Sequence, residues 1–175
     1  IKQLDYFNSV YDITGVKTIY IGGGTPSFLK PKILSDFIAN ILKRYDSLPE
    51  EFTVETNPET VTEEYIAVLN DLPVTRISVG IQSFNQELLT RLGRNCRAAS
   101  NFKALDLLRN LDNKSISLDI ISSIPGQSVN SSLEDAKTAI SFDPVHISLY
   151  NLTLEKNTLL ADRYTEKEQD QNCWV

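Results

Sequence analysis

The feature that most constrains the fold of this chain is a regular alternation of short β-branched runs with longer segments of helical spacing. The runs are predicted strands, and they occupy residues 17–21, 51–55, 76–80, 115–120 and 146–150. One run recurs roughly every 25 to 40 residues, which is typical of parallel strands joined by crossover helices. The fold class predicted from this pattern is α/β, built from parallel β/α repeats.

Five helices are predicted between these strands, at residues 31–45, 60–71, 85–92, 98–111 and 131–142. The first begins with Pro31, a residue suited to a first turn, and its apolar residues recur at spacings of three and four. Thr60 and Glu63 form a capping-box pattern at the start of the second helix. Three residues of the last predicted helix are expected to face the core: Leu133, Ala136 and Ile140.

The composition fits one folded domain and argues against two classes of partner. Of the 175 residues, 41% are hydrophobic, enough for one substantial core, and no linker divides the chain, so a single domain over residues 1–175 is predicted. The formal charge of −6 argues against a nucleic-acid surface. No stretch reaches the roughly 18 apolar residues of a membrane span. A cytoplasmic location is predicted, with Cys96 and Cys173 as separate reduced thiols.

Polar residues and glycines follow the predicted strands at the points where each strand ends. In parallel α/β folds, ligands bind beyond the carboxyl ends of the strands, so these residues are candidates for a ligand site. The candidates before the fourth helix are Gly22, Gly23, Gly24, Thr25, Glu55 and Gln82. Those further along the chain are Asp119 and Thr153.

The glycine triplet is either a tight turn or a loop whose bare amide groups bind a ligand. Two familiar nucleotide motifs do not fit it. The dinucleotide fingerprint requires glycine where Ser27 stands, and the phosphate loop requires Gly-Lys-Ser/Thr where the chain has Phe28, Leu29 and Lys30. Neither NAD nor ATP is therefore favoured.

Charged residues near the predicted rim suggest what such a ligand offers. Glu55 and Asp119 would be costly at a barrel mouth without cations or donors, such as an ammonium group or a ribose. Arg94 could supply a positive group for a carboxylate, although each residue alone is more often a solvated surface charge. Three further residues are interpreted as packing or non-catalytic: Tyr20, Tyr150 and His146.

Six segments taken together resemble one family. The run 18–27, TIYIGGGTPS, resembles the glycine loop of the oxygen-independent coproporphyrinogen III oxidase and heme-chaperone family of radical S-adenosylmethionine (SAM) enzymes. The others follow in the family's order at 55–58 (ETNP), 79–85 (VGIQSFN), 92–94 (LGR), 118–119 (LD) with 124–127 (IPGQ), and 146–150 (HISLY). Because the segments span nearly the whole chain, the resemblance is specific. It implies part of a TIM-like radical SAM barrel.

The resemblance also implies roles for the candidate residues. It implies that backbone groups hold the methionyl end of SAM at Gly22, Gly23, Gly24 and Thr25. It implies polar SAM contacts from Glu55, Gln82, Arg94 and Asp119, with Thr153 near the adenine. These roles suit SAM, which carries an ammonium, a carboxylate and a ribose diol.

The chain departs from the family in two places. Ser122 and Ser123 stand where the family usually has an aromatic residue and glycine, which bears on the local shape after Asp119. The family's CxxxCxxC loop, which holds a 4Fe–4S cluster, is absent and is expected upstream of Ile1. Cys96 and Cys173 cannot replace it, because three cluster ligands must converge. A downstream domain is also expected, and the 175 residues alone are predicted to be inactive.

The function implied by the resemblance is in heme or porphyrin metabolism, with SAM and a 4Fe–4S cluster as cofactors and an electron donor for that cluster. The forms of residues 92–94 and 152–155 are more similar to the heme-chaperone branch, which binds heme for delivery. The first alternative is oxidative decarboxylation of coproporphyrinogen III. A second alternative is a (β/α)8 enzyme whose glycine loop binds phosphate.

Overall fold

A five-stranded parallel sheet forms the centre of the computed structural model, which describes residues 1–13, 15–94 and 96–165. The strands lie side by side in chain order. They are β1 (Thr18–Ile21), β2 (Glu51–Thr56), β3 (Arg76–Gln82), β4 (Ser115–Ser122) and β5 (His146–Asn151). The predicted α/β class with parallel repeats is thereby confirmed. The sheet is open, with β1 and β5 at its two edges.

Seven helices accompany the sheet in the described ranges. They are α1 (Lys2–Tyr11), α2 (Pro31–Leu42), α3 (Glu63–Asn70), α4 (Gln86–Arg91), α5 (Ala98–Leu108), α6 (Val129–Ile140) and α7 (Leu159–Arg163). The five predicted helices are all present, with somewhat different ends. Helices α1 and α7 were not predicted from the sequence, and neither has a buried residue. None of the helices described is long and apolar enough to cross a membrane.

The two faces of the sheet differ in chemistry because successive strand residues point to opposite sides. One face packs against the helices, and its central residues are at most 1% exposed: Phe52, Val54, Ile77, Val79, Leu118 and Ile120. The alternate positions of these strands, together with one position of β1, carry polar side chains: Thr53, Glu55, Ser78, Ser117 and Asp119, with Tyr20 on β1. The first set builds the core, and the second set faces the interior of the partial barrel.

The start of α3 differs from the predicted capping box. Thr62, not Thr60, is the N-cap, and its hydroxyl oxygen accepts a hydrogen bond from the Tyr65 amide at 3.1 Å. Thr60 belongs to a 3₁₀ turn over Pro58–Thr60, and its hydroxyl donates to the Asn57 carbonyl at 2.7 Å. The prediction was wrong by two residues because this turn delays the first α-helical turn.

The inward face of α6 also differs from the predicted one. Leu133 and Ile140 are exposed, at 41% and 63%, whereas the buried residues of the helix are Ser132, Asp135 and Ala139. The Asp135 carboxylate accepts hydrogen bonds from the Ser83 hydroxyl and the Phe84 amide, at 2.6 and 2.8 Å. These bonds turn the polar side of the helix toward the loop after β3, a choice that hydrophobic periodicity does not reveal.

Candidate ligand-binding site

A cleft of about 320 Å³ lies at the carboxyl ends of the strands, where the sequence predicts a ligand site. Six of the nine predicted site residues line it: Gly23, Thr25, Glu55, Gln82, Arg94 and Asp119. The other lining residues were not predicted as site residues: Thr56, Asn57, Ser78, Gly80, Ile121 and Tyr150. Of these, Ser78 and Gly80 could have been predicted from strand periodicity. They lie four and two positions before Gln82, and every second residue of a strand faces the same side.

Glu55 joins β2 to the glycine loop. Its Oε1 atom accepts a hydrogen bond from the Tyr20 hydroxyl at 2.7 Å, and its Oε2 atom accepts one from the Gly23 amide at 3.2 Å. A Cβ atom at Gly22 would lie 2.7 Å from the Tyr20 ring and 2.8 Å from the Glu55 carboxyl group. Gly23 has a φ of +104°, which favours glycine. The carboxylate therefore fixes the loop only because glycines occupy both positions.

Tyr20 has a different role from the packing role expected from the sequence. Its side chain is 61% exposed and donates to Glu55. Loss of hydration, followed by the hydrogen bond to Glu55, raises the pKa of Tyr20 to about 12. A phenol is already protonated at neutral pH, and the raised pKa keeps Tyr20 a hydrogen-bond donor at alkaline pH as well. Tyr150 was also interpreted as a packing residue, but it is 56% exposed and lines the cleft.

Ser27 links the glycine loop to the segment after β2. This buried side chain follows Pro26 in a 3₁₀ turn. Its hydroxyl oxygen accepts a hydrogen bond from the Asn57 amide, and the Ser27 and Thr60 hydroxyls are hydrogen-bonded to each other. Ser27, which stands where the dinucleotide motif requires glycine, thus has a structural role. Two neighbouring rim segments are held together by one serine.

Asp119 and Arg94 supply opposite charges to the cleft. Asp119 Oδ2 accepts a hydrogen bond from the Ser78 hydroxyl at 2.9 Å. Within the described part of the chain, Ser78 is the only side chain that donates to Asp119, which leaves Oδ1 without a protein donor there. Arg94 is exposed, and among those residues it forms no ion pair. The cleft therefore combines two carboxylates, one guanidinium and the amides of a glycine loop.

Gln82 enters the cleft from an irregular end of β3. Its φ is +67°, and the pairing of β3 with β4 shifts register between Gly80 and Gln82. The fully buried Asn101 amide on α5 donates to the Ile81 and Ser83 carbonyls, at 3.1 and 2.8 Å. Asn101 thereby holds the backbone conformation that presents Gln82 to the cleft.

Asp135 holds the next part of the same loop. Besides its bonds to Ser83 and Phe84, it accepts a longer one from the Gln127 amide at 3.4 Å. Burial raises the pKa of Asp135, and the hydrogen bonds offset part of this rise. Asp135 and Asn101 were not predicted from the sequence, because a polar residue within a helical pattern is usually solvent-exposed. No local signal distinguishes them.

Three predicted residues do not line the cleft. Gly22 and Gly24 lie beside Gly23 in the loop, and Thr153 is exposed beyond the end of β5. The predicted contact of Thr153 with the adenine of SAM stays a prediction.

The loop after Asp119 adapts to the two serines of this chain. The hydroxyls of Ser122 and Ser123 donate to Asn151 Oδ1, at 2.9 and 2.7 Å. Ser123 has a φ of +59°, in the left-handed region that favours glycine. The serines thus connect the ends of β4 and β5 in place of the aromatic-glycine pair that the resemblance implies.

No metal-binding group was found among the described residues. In those ranges no three residues drawn from His, Cys, Asp and Glu lie together in a way that could hold an ion. Cys96 is buried and unpaired, and burial raises the pKa of its thiol. Cys173 lies outside the described residues.

The parallel sheet and its cleft define a β/α-repeat protein with a candidate ligand-binding cleft at the carboxyl ends of its strands. Residues 6–139 match the family model of the radical SAM superfamily. The chain belongs to this superfamily, which confirms the radical SAM class predicted from the six sequence segments.

Curated relatives are similar to the chain in sequence, and one solved structure shares its fold. The heme chaperone HemW of Lactococcus lactis is 36% identical over 154 residues, which cover 87% of this chain and 41% of the relative. HemW of Escherichia coli is 38% identical over 160 residues, covering 91% and 42%. The coproporphyrinogen III oxidase HemN of E. coli shares the fold with a TM-score of 0.72 at 24% identity, covering 85% of this chain and 34% of that structure. The chain thus spans about two-fifths of the length of these HemW relatives.

Proposed function

We propose that this chain is the SAM-binding part of a radical SAM protein of heme or porphyrin metabolism, in the heme-chaperone branch. One observation carries the SAM assignment. Groups from four consecutive β/α units converge on a single cleft: Gly23, Glu55, Gln82, Arg94 and Asp119. The sequence separates these residues widely, and the parallel sheet brings them to one rim.

The chemical groups of SAM fit this donor set. The Glu55 oxygens each have a lone pair left beyond their bonds to Tyr20 and Gly23, so the carboxylate can also accept from an ammonium group. Arg94 has the charge and the geometry to bind a carboxylate. Asp119 Oδ1 and the Gln82 amide suit a ribose diol. When it is bound beside a reduced 4Fe–4S cluster, SAM supplies one-electron chemistry, while the residues of the cleft orient it.

The identity of the curated relatives supports the heme-chaperone branch. HemW proteins of two bacteria match about nine-tenths of the chain at 36% and 38% identity. We propose heme as the bound partner, together with an electron donor for the cluster. Oxidative decarboxylation of coproporphyrinogen III remains the alternative, and its support is a shared fold with HemN. The cytoplasmic location and the single domain predicted from the sequence stay predictions.

The phosphate-binding alternative is disfavoured by the charges around the glycine loop. The Gly23 amide already donates to Glu55, and Asp119 lines the same cleft. A phosphate dianion placed there would be repelled by both carboxylates at short range. The cleft therefore suits a ligand that carries positive charge near the loop.

The cofactor assignment can be tested on the full-length protein. After anaerobic reconstitution with iron and sulfide, we expect the visible absorbance of an iron–sulfur cluster and saturable SAM binding by calorimetry. A sample carried through the same procedure without iron is the control for the cluster signal. Absence of both cluster absorbance and SAM binding would show that the proposal is wrong. Protection by a phosphate ester against thermal unfolding, with none from SAM, would favour the phosphate-binding alternative.

A second experiment separates the chaperone from the oxidase. The reconstituted protein is titrated with heme, and the same preparation is assayed for decarboxylation of coproporphyrinogen III in the presence of SAM and reductant. Heme binding without turnover is expected. Turnover of coproporphyrinogen III at enzymatic rates would instead assign the protein to the oxidase branch.

A further inference from the structure

Two features that disfavour folding meet at the end of β3. Gln82 has a φ of +67°, a conformation that residues other than glycine seldom adopt. Asn101, which contacts the same turn, is fully buried, and within the described part of the chain its Oδ1 atom has no hydrogen-bond partner. A strained backbone and an unpaired buried acceptor each lower the free energy of unfolding. Stability alone therefore does not explain why the two occur together beside the cleft.

The strain at Gln82 lies in a tight three-residue turn. The Ser83 amide donates to the Ile81 carbonyl at 2.9 Å, which closes the turn around Gln82. The Asn101 side-chain amide donates to the carbonyls on both sides of Gln82, at 3.1 Å to Ile81 and 2.8 Å to Ser83. One buried NH₂ group from α5 thus fixes both ends of the turn. Without it, we expect Gln82 to relax to a negative φ.

The turn determines where the Gln82 side-chain amide lies. A Cβ atom at Gly80 would be 2.9 Å from Gln82 Nε2, so the side chain extends back over the bare backbone of Gly80. Both residues line the strand-end cleft, together with Asp119 on the neighbouring strand. A change in the sign of φ at Gln82 would redirect its Cα–Cβ bond and move the amide. Its placement therefore depends on Asn101, which does not itself line the cleft.

We propose that Asn101 is a positioning residue for the ligand of the strand-end cleft, and that it acts on this ligand through the strained conformation of Gln82. This role rests on the proposed function, which makes SAM the ligand. An amide that is fixed before the ligand arrives loses little conformational freedom on binding, so strain in the free protein raises affinity. A residue that only anchors α5 to the loop would contribute to stability and leave SAM affinity unchanged.

The test compares the SAM affinities of single and double variants of the reconstituted full-length protein by calorimetry. Gln82→Gly is expected to weaken SAM binding about tenfold, because the amide is removed. Asn101→Leu is expected to weaken it about fivefold, since the amide is displaced but still present. In the Gln82→Gly background, Asn101→Leu should have no further effect on SAM affinity. Equal losses in both backgrounds would overturn the proposal.

Asn70→Leu is the matched control. Asn70 is also a helix residue, and its side chain donates to the Asn110 carbonyl and accepts from the Asp112 amide. None of these three residues lines the cleft. The control should lower the thermal unfolding midpoint without changing SAM affinity. A loss of SAM affinity as large as that of Asn101→Leu would overturn the proposal.

Thermal unfolding of Gln82→Gly tests the strain directly. Glycine adopts a positive φ without strain, so the unfolding midpoint should rise above that of wild type, and a lowered midpoint would overturn the proposal. If Asn101→Leu does not fold alone, the Gln82→Gly background should restore folding, because glycine needs no partner to hold it. Failure to do so would also overturn the proposal.

The wild-type measurement separates this role from the proposed function. If wild type binds no SAM, the proposed function and the ligand role of Asn101 fail together. If wild type binds SAM and Asn101→Leu binds it equally well, only the role of Asn101 fails.

Discussion

The two faces of the sheet are built from the same strands but differ in polarity, in packing and in their distance from the cleft. On the helix-covered face, Val79 and Leu118 are fully buried among apolar neighbours. On the other face, the adjacent strands present Ser78 and Asp119, joined by a hydrogen bond beside an open cleft. A side-chain period of two in the strands places stability on one face and ligand chemistry on the other.

This contrast shows where substitutions can be tolerated. The apolar face is close-packed, so the loss of a few methylene groups leaves a cavity. The polar face is partly solvated, so a change of chemistry there can alter binding without unfolding the protein. Asp135 belongs to neither class, since it is a buried helix residue that holds a loop beside the cleft.

The largest effect is expected on the apolar face. Leu118→Ala removes a fully buried side chain from the middle of β4 and should lower the free energy of unfolding by about 3 kcal/mol. The neighbouring Ser117 is also buried, at 3% exposure, but Ser117→Ala removes only one hydroxyl oxygen and leaves no large cavity, so it should change the free energy of unfolding by less than about 1 kcal/mol. Urea unfolding of both variants measures the difference. If both variants lost the same free energy of unfolding, the two faces would not differ in their contribution to stability.

The next largest effect is expected at Asp135, which holds the loop after β3 beside the cleft. In Asp135→Asn, one amide NH₂ group replaces an acceptor facing the Ser83 hydroxyl and the Gln127 amide, and we expect a loss of about 2 kcal/mol. Asp106→Asn, which alters an exposed salt bridge on α5, is the control and should cost less than about 0.5 kcal/mol. A loss no greater than that of the control would mean that Asp135 does not hold the loop.

Asp135 should also contribute to the pH dependence of the free energy of unfolding. Because burial raises its pKa in the folded state, the native protein binds this proton more tightly than the unfolded chain does. The stability of wild type relative to Asp135→Asn should therefore decrease as pH rises from the ordinary pKa of an aspartate through the raised value. Urea unfolding at pH values from about 4 to 8 tests this, and an increase over that window would contradict the assigned direction.

On the polar face, Glu55→Gln should affect binding more than folding. The substitution removes the negative charge beside the glycine loop, and we expect SAM affinity of the reconstituted full-length protein to fall about tenfold. The thermal unfolding midpoint should change little. Glu59→Gln, an exposed residue that does not line the cleft, is the control for a general charge effect. Unchanged SAM affinity would remove Glu55 from the proposed site.

The smallest effect is expected from Tyr20→Phe. It removes only the hydroxyl that donates to Glu55, so SAM affinity should fall roughly two- to fivefold through poorer positioning of the carboxylate. Tyr6→Phe, on the exposed side of α1, should have no effect. If Tyr20→Phe binds SAM as wild type does, the hydrogen bond does not position Glu55 for the ligand.

Much of the fold could be predicted from the sequence because the relevant signals are local. The period of two in the strands, the period near 3.6 in the helices and the glycine loop are all recorded within short windows. The capping of α3 and the rotation of α6 were predicted wrongly, since each depends on a particular turn or a partner elsewhere in the chain. Six of the nine predicted site residues line one cleft, because parallel strands all end at the same rim.

The sequence by itself determined the α/β class, the parallel repeats, the family and the chemical types at the rim. Only the tertiary structure decided which of those groups meet. Tyr20 and Glu55 are 35 positions apart, and Ser83 and Asp135 are 52 positions apart, yet both pairs are within hydrogen-bond distance. Local periodicity comes from the geometry of one backbone segment, whereas these contacts depend on how separate segments pack, which no single window of sequence contains.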